Sequence, residues 1–380
     1  MDVPKRGTAI ELHAHDLNQD GHGVARHSSG LIFFVADLWL NETAICKVVS
    51  LHKTYGIAQV SERLTTSSAR IDAFCPHHGT QDTACTACPW QGIDYGTQLT
   101  MKQDRVATTL SALDGPIASI WPSPETIGYR NRAQFKTDGK AIGYVNALTL
   151  ELAPIDTCPI LSKRNQKTLK VLKSQLPNRD WQSDDGFTSL DIDEGISAAD
   201  VSVNTRRPFR QGNDGQNKVM RSWLAEKVNS LPSRQVVLEL FSGSGNFTHT
   251  LVKAGVKPVV AVDVGGEAIS ALRAHKWPQV TAHICDLGDP EALKSFLRQQ
   301  TIKPTLLVLD PPRTGFSLLA LVLERFPSIA HVFYISCDPT SFARDAQALD
   351  GAGFKGVELQ PLDMFPHTPH VELLTVFKRV

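Results

Sequence analysis

Short, mostly apolar runs separated by polar and turn residues occupy the first sixty positions. They are Thr8-Ala9-Ile10-Glu11-Leu12, Leu31-Ile32-Phe33-Phe34-Val35, Ala44-Ile45-Cys46-Lys47-Val48-Val49 and Gly56-Ile57-Ala58-Gln59-Val60. Runs of this length and composition mark strands, and Asp20-Gly21-His22-Gly23 supplies a turn between them. Four or five short strands in so few residues predict a small OB-like barrel over residues 1–64. An irregular, cysteine-bearing stretch comes next. Then come two strand-like runs, Tyr129 to Lys136 and Ala141 to Val145, and a helix with Lys163, Arg164, Lys167, Lys170 and Lys173 on one side and Leu169 and Leu172 on the other. These predict an α+β central domain over 65–203, with part of 90–124 packing with the C-terminal domain.

From about residue 218 the pattern changes. Apolar strands (Val236 to Leu240, Pro258 to Val262, Val280 to Ile284, Thr305 to Leu309, His331 to Ile335) alternate with helical segments, and a late pair near Val357 and Leu373 to Phe377 completes the set. Strands alternating with helices predict a parallel, Rossmann-like sheet over 204–380, so the chain is a multidomain α/β protein. Its 380 residues exceed one ordinary domain.

Composition narrows the function. Thirty-nine basic residues balance 39 acidic ones, which excludes a protein that holds nucleic acid by bulk charge but leaves local basic patches open. No stretch approaches the roughly 20 apolar residues that span a bilayer, and the N-terminus has no apolar leader. A cytoplasmic protein without membrane contact is expected. Seven cysteines in such a chain point to metal ligands, a nucleophile or buried core rather than disulfides.

In an open parallel sheet, ligands bind beyond the carboxyl ends of the strands. Here those ends carry Phe241-Ser242-Gly243-Ser244-Gly245-Asn246, then Asp263, Asp286, Asp310-Pro311-Pro312-Arg313 and Ser336-Cys337-Asp338-Pro339. A glycine turn between strand and helix admits a ligand close to the backbone. The dinucleotide pattern would need a third glycine where Thr248 stands. With Asp263 placed for ribose hydroxyls and Asp286 for an adenine edge, S-adenosylmethionine fits better. Pro311 and Pro312 remove backbone donors and hold Asp310 rigidly at the edge. Cys337, beside polar neighbours, is a nucleophile candidate, whereas Cys46 and Cys285 belong to apolar strands and to the core. Near the end of the chain, His367-Thr368-Pro369-His370-Val371-Glu372 matches no zinc spacing, and Glu372 is better understood as a base.

Cys75, Cys85 and Cys88 form C-x9-C-x2-C, and Cys158 can complete a four-thiolate site. Four thiolates suit zinc or an iron–sulfur cluster equally on spacing alone.

Taken in order, Phe209-Arg210-Gln211-Gly212-Asn213, Leu240 to Thr248, Leu309 to Gly315, Ile335 to Thr340 and His367 to Glu372 resemble the RNA uracil-5 methyltransferases. The resemblance covers nearly the whole chain, the barrel being similar to that family's TRAM domain. It implies a class I methyltransferase domain, Cys337 as nucleophile and Glu372 as general base. It places S-adenosylmethionine on Gln211, Phe241, Asp263, Asp286 and Asp310, and a [4Fe–4S] cluster on Cys75, Cys85, Cys88 and Cys158. Barrel plus cluster is similar to the enzymes of 23S ribosomal RNA; the alternatives are transfer RNA as substrate, or a non-catalytic RNA-binding or assembly protein on the same fold. A monomer is expected. Three departures stand out: four extra residues between Cys75 and Cys85, Ser242 in place of a cysteine, and Asp263 in place of a glutamate. Basic segments at Arg130, Arg132 and Lys136, or at Arg206, Arg207 and Arg210, are candidate phosphate contacts.

Overall fold

The computed structural model describes residues 4–81, 83–113, 115–184, 186–205, 207–232 and 235–380. The chain divides into two compact units. The first comprises residues 1–100, 125–206 and 365–369, and the second 101–124, 207–364 and 370–380.

In the first unit, β1 (Ala9–Leu17), β2 (Gly23–Arg26), β3 (Ile32–Ala36), β4 (Thr43–Leu51) and β5 (Tyr55–Arg63) close into a barrel of order β1-β2-β3-β5-β4. Leu12, Ala14, Phe33, Val35, Ala44, Cys46, Val48 and Ala58 point inward and are fully buried, while the residues between them face outward. Gly21 sits at φ 81° in the expected turn, a backbone geometry that glycine adopts without strain. Burial raises the Cys46 thiol to about 12, as suits an inert core residue.

The segment leaving the barrel is tied back to it. Buried Glu42 accepts hydrogen bonds from the Trp39 and Ser67 backbone N–H groups and from Arg70, which also reaches Asp37. Burial alone would raise the Glu42 carboxyl; the bonds from Arg70, Ser67 and Trp39 outweigh it and lower the group.

The helix α1 (Tyr95–Thr109) carries the chain from the first unit into the second. Back in the first unit, β6 (Arg132–Thr137), β7 (Ile142–Val145), β8 (Leu152–Pro154), β9 (Thr188–Asp193) and β10 (Ser202–Val203) form an antiparallel sheet of order β10-β9-β6-β7-β8. The basic helix appears as α2 (Lys163–Lys173), started by Ser162, whose hydroxyl accepts from the Asn165 N–H. Leu169 and Leu172 are buried, and Lys163, Arg164, Lys167 and Lys170 are exposed.

The second unit holds α3 (Asp214–Ser230), β11 (Val237–Leu240), α4 (Asn246–Lys253), β12 (Val259–Asp263), α5 (Gly266–Ala274), β13 (Val280–Ile284), α6 (Pro290–Gln299), β14 (Leu306–Leu309), α7 (Leu319–Arg325), β15 (His331–Ser336), α8 (Pro339–Gly351), β16 (Phe354–Leu362) and β17 (Glu372–Arg379). Its sheet runs β13-β12-β11-β14-β15-β17-β16. The first five strands are parallel, and β17 enters antiparallel between β15 and β16. Every residue of β11 and β14 is buried, which explains why β14 reads as an unbroken apolar run and β11 as one interrupted only by Glu239. The chain order reverses at β11, so the crevice beyond β11 and β14 is where a ligand is expected. No helix is long and apolar enough to cross a membrane.

Candidate active site

The glycine turn behaves as its residues dictate. Phe241 takes φ 62°, Gly243 φ 53° and Gly245 φ 97°. A Cβ on Gly245 would collide with Leu272, whereas nothing lies within 4 Å of the Cβ position of Gly243. The first glycine therefore opens a cradle and the second permits close packing on α5. A left-handed phenylalanine is strained, and such residues persist where their surroundings over-determine them. Phe241 packs edge-on against Phe316, ring centroids 5.1 Å apart.

Asp263 holds the turn in shape. Its Oδ2 accepts from the Gly243 N–H and its Oδ1 from the Gly265 N–H, both at 2.8 Å. Behind it, in the middle of β11, lies Glu239, an acid that motif reading misses. It is buried, and its Oε2 accepts from the Thr248 hydroxyl at 2.6 Å. Burial, then the charges of Asp310 and Asp263, raise it to about 8 despite that bond. Glu239 Oε1 and Ser242 Oγ are buried without a hydrogen-bond partner among the described residues. Orphaned polar atoms of this kind beneath a glycine cradle fit a polar ligand such as a nucleoside. The signal available in sequence is a carboxylate inside an otherwise apolar parallel strand.

Asp310 is partly buried just after β14; burial and then the charge of Asp263 raise it to about 7. Asp286 lies two residues beyond β13, exposed, with Oδ1 accepting from the Gly288 N–H at 2.9 Å. Gln211 is buried on the segment leading into α3 rather than at a strand end.

The thiol and the carboxylate meet through sheet register. Ser336 pairs with Leu373 across β15 and β17. One step further along the same register sets Cys337 opposite Glu372. Burial, then the charges of Glu372 and Asp310, raise the Cys337 thiol to about 12, while Arg313 opposes them. Glu372 is buried and raised well above the usual carboxylate range by burial and then by Asp310, again opposed by Arg313. Arg313 is thus a cation acting on both groups, and its guanidinium reaches His370 Nε2 at 3.2 Å. Cys285, by contrast, is buried core, as its strand implied.

The two late histidines go separate ways. In the first unit His367 is buried, its ring on Gln98 and on the Thr126 carbonyl, and in the second His370 meets Arg313.

Some expected phosphate contacts are already engaged. Arg132 pairs with buried Asp191 on the neighbouring strand, Lys136 donates to Ser189 at 2.5 Å, and Arg130 lies over the Phe365 ring. Cross-strand neighbours compete for Arg132 and Lys136, which sequence order does not show. Arg210 pairs with Asp214 at 2.9 Å, Arg207 is partly buried, and Arg206 lies outside the described residues.

In the first unit the four cysteines influence one another. Burial raises Cys85 to about 11, with Cys158 and Cys75 adding to the shift, and raises Cys88 to about 12, with Cys158 and Cys85 adding. Burial likewise raises Cys158, which Tyr144 opposes by a hydrogen bond. Donors thus surround the sulfurs: Tyr144, Gln91, and the backbone at Ala87 and Leu161. Four thiols without a carboxylate fit a thiolate-bound centre in kind. In distance they do not, since among the described residues no three potential ligands are close enough to share an ion. The inserted stretch is anchored, with the Thr80 carbonyl accepting from Gln59 and the Gln81 and Ala84 carbonyls from Asn146.

No family model matches the chain. It is 36% identical over 374 residues to an uncharacterized RNA methyltransferase of Nitrosomonas europaea, covering 96% of this chain and 95% of that one. It is 28% identical over 437 residues to the 23S rRNA (uracil(1939)-C(5))-methyltransferase of Halomonas elongata, covering 97% and 89%. Its fold is that of the Pyrococcus abyssi tRNA (uracil-54, C5)-methyltransferase, solved with S-adenosyl-L-homocysteine: TM-score 0.72, 21% identity, 97% and 99% of the chains covered. Given so similar a relative along nearly its whole length, the chain belongs to the RNA methyltransferase family, and uracil-C5 enzymes are among the proteins it resembles.

Proposed function

We propose that this enzyme methylates C5 of a specific uridine in RNA, 23S ribosomal RNA before transfer RNA, through a covalent bond between Cys337 and C6 of the base. Carrying this is one observation: the register that pairs Ser336 with Leu373 brings the thiol and a buried carboxylate to adjoining strand ends, close enough for the charge of Glu372 to act on Cys337, with Arg313 acting on both. The Halomonas relative's named substrate favours the ribosomal RNA.

Gln211, Phe241, Asp263, Asp286 and Asp310 hold S-adenosylmethionine, which when bound supplies an electrophilic methyl on a sulfonium. C5 of uracil is a poor nucleophile on its own. The Cys337 thiolate adds to C6, and the C5–C6 π pair moves into an enolate, giving C5 the electron density to accept the methyl. Glu372 then takes the C5 proton, the C5–C6 double bond re-forms and the C6–S bond breaks, returning the thiolate. Arg313 favours the ionised forms of both groups. The target base must first leave its stack, at a cost of about a few kcal/mol.

Residues 1–64 serve as an RNA-binding barrel, 65–203 as a cluster-bearing domain and 204–380 as the catalytic domain of a cytoplasmic monomer. The test is transfer of labelled methyl from the cofactor to unmodified ribosomal and transfer RNA, with the product mapped by mass spectrometry. We expect 5-methyluridine at one position of 23S RNA. Label on another base, or on no RNA, overturns the assignment.

On the same reading Cys75, Cys85, Cys88 and Cys158 would hold a [4Fe–4S] cluster, on the strength of the all-thiol donor set and the hydrogen-bond donors around it, and the sulfurs would have to draw together from their present positions to bind it. Protein purified without oxygen should be brown, with iron and sulfide each near four per chain, as a cubane site requires. Cys85→Ser or Cys158→Ser should lose the colour. Stoichiometric zinc without iron would replace the cluster by a zinc site.

A further inference from the structure

The hairpin of β16 and β17 opens at the end that carries the proposed base. Leu362, the last residue of β16, stands across from Glu372, the first of β17, and the chain leaves the sheet between them. Strand pairs fray where their ladder stops, because backbone groups there lose their partners. At this mouth the losses are made good from elsewhere in the second unit. The Asp363 N–H donates to the Trp121 carbonyl at 2.9 Å. Gln216 Nε2 donates to the Asp363 carbonyl at 2.7 Å. Asn213 Nδ2 donates to the Met364 carbonyl at 3.1 Å and to the Ser123 hydroxyl at 3.0 Å. The Asp363 side chain forms an ion pair with Lys102 of α1, Nζ to Oδ1 2.5 Å, both side chains fully buried.

A buried ion pair is weak evidence for stability, since desolvating two charges offsets most of their attraction. What it does supply is geometry, because separating the two side chains breaks a close contact between buried charges. Here the pair sits one residue beyond the position facing Glu372.

We infer that Lys102, through Asp363, is a positioning residue that fixes the mouth of the hairpin and thereby sets the Glu372 carboxylate against the C5 proton. This rests on Glu372 being the base. Loosening the pin then slows the step after methyl transfer and leaves cofactor binding alone.

The experiment uses the full-length enzyme, RNA and methyl-labelled cofactor in a single turnover, with the labelled RNA–protein adduct monitored on denaturing gels. In Lys102→Gln the adduct should persist at least tenfold longer than in the native enzyme. Cofactor affinity should stay within twofold, and Lys102→Arg should restore release. A native adduct lifetime in Lys102→Gln overturns the inference, and so does slowed transfer without adduct, which marks a purely structural role. Where Lys102→Gln does not fold, Gln216→Leu removes one bond and no charge; a lengthened adduct lifetime supports the inference and an unchanged one overturns it. Glu372→Gln, run alongside, separates the two failures. Adduct there but none in the Lys102 and Gln216 variants rejects the positioning role only. No adduct in Glu372→Gln rejects the base, and this inference with it.

Discussion

Replacing Cys337 by alanine should reduce methyl transfer to RNA by at least about 10³-fold, the scale on which nucleophile removal acts when no other group can form the covalent bond. Cofactor affinity should change little. The thiol stands past the end of β15, across from Glu372, whereas the glycine turn is shaped by Asp263 through two backbone N–H groups. The two functions therefore sit on different strand ends. Relief from charge gives a second readout, since an uncharged residue at 337 removes a group that Glu372 and Asp310 disfavour when ionised. Calorimetry with the cofactor and a filter assay with labelled RNA check both halves. Turnover at the native rate in Cys337→Ala would end the covalent mechanism.

Glu372→Gln should do the opposite to the adduct. Glutamine keeps the shape and polarity of the side chain but accepts no proton at neutral pH. Addition of Cys337 and arrival of the methyl do not need that base, so RNA should accumulate bound to Cys337 and already methylated. Multiple-turnover rates should fall by roughly 10²–10⁴-fold, the usual contribution of a positioned base. The adduct should survive denaturing electrophoresis and carry label from the cofactor's methyl group. The native enzyme should stall at the matching species with 5-fluorouridine in the RNA, because fluorine cannot leave as a cation. Normal turnover with no trapped RNA would assign the proton to another group. His370, held by Arg313, is then the next to test.

The charges around these two residues bear on both results. Glu372 disfavours ionisation of Cys337, and Asp310 disfavours ionisation of both. An ionised thiol and an ionised carboxylate are therefore costly together in the free enzyme, and the charge of Arg313 eases that cost for each.

Much of this is legible in the residues themselves. Short apolar runs bounded by turn residues mark the barrel strands, and strands alternating with helices after about residue 218 mark the parallel sheet. Strand-end placement of Asp263, Asp310 and Cys337 comes from locating those strands. The arginines are harder: Arg132 reads as a free cation, yet Asp191 on β9 holds it. Glu239 escapes notice because its significance lies in burial near two other acids, not in its neighbours along the chain.

Local chemistry explains the division. Periodicity, turn residues and the order of strands and helices depend on interactions within a few positions, and these the amino-acid sequence determines by itself. It thereby settled the barrel, the parallel sheet and which residue types end each strand. Only the tertiary structure decided that β17 enters antiparallel beside β15, which sets Glu372 across from Cys337. Only it brought Lys102 to Asp363, 261 positions apart, and buried both. Register between distant strands and the loss of solvent around a charge are properties of the packed chain, and from these two the site takes its geometry and its ionisation.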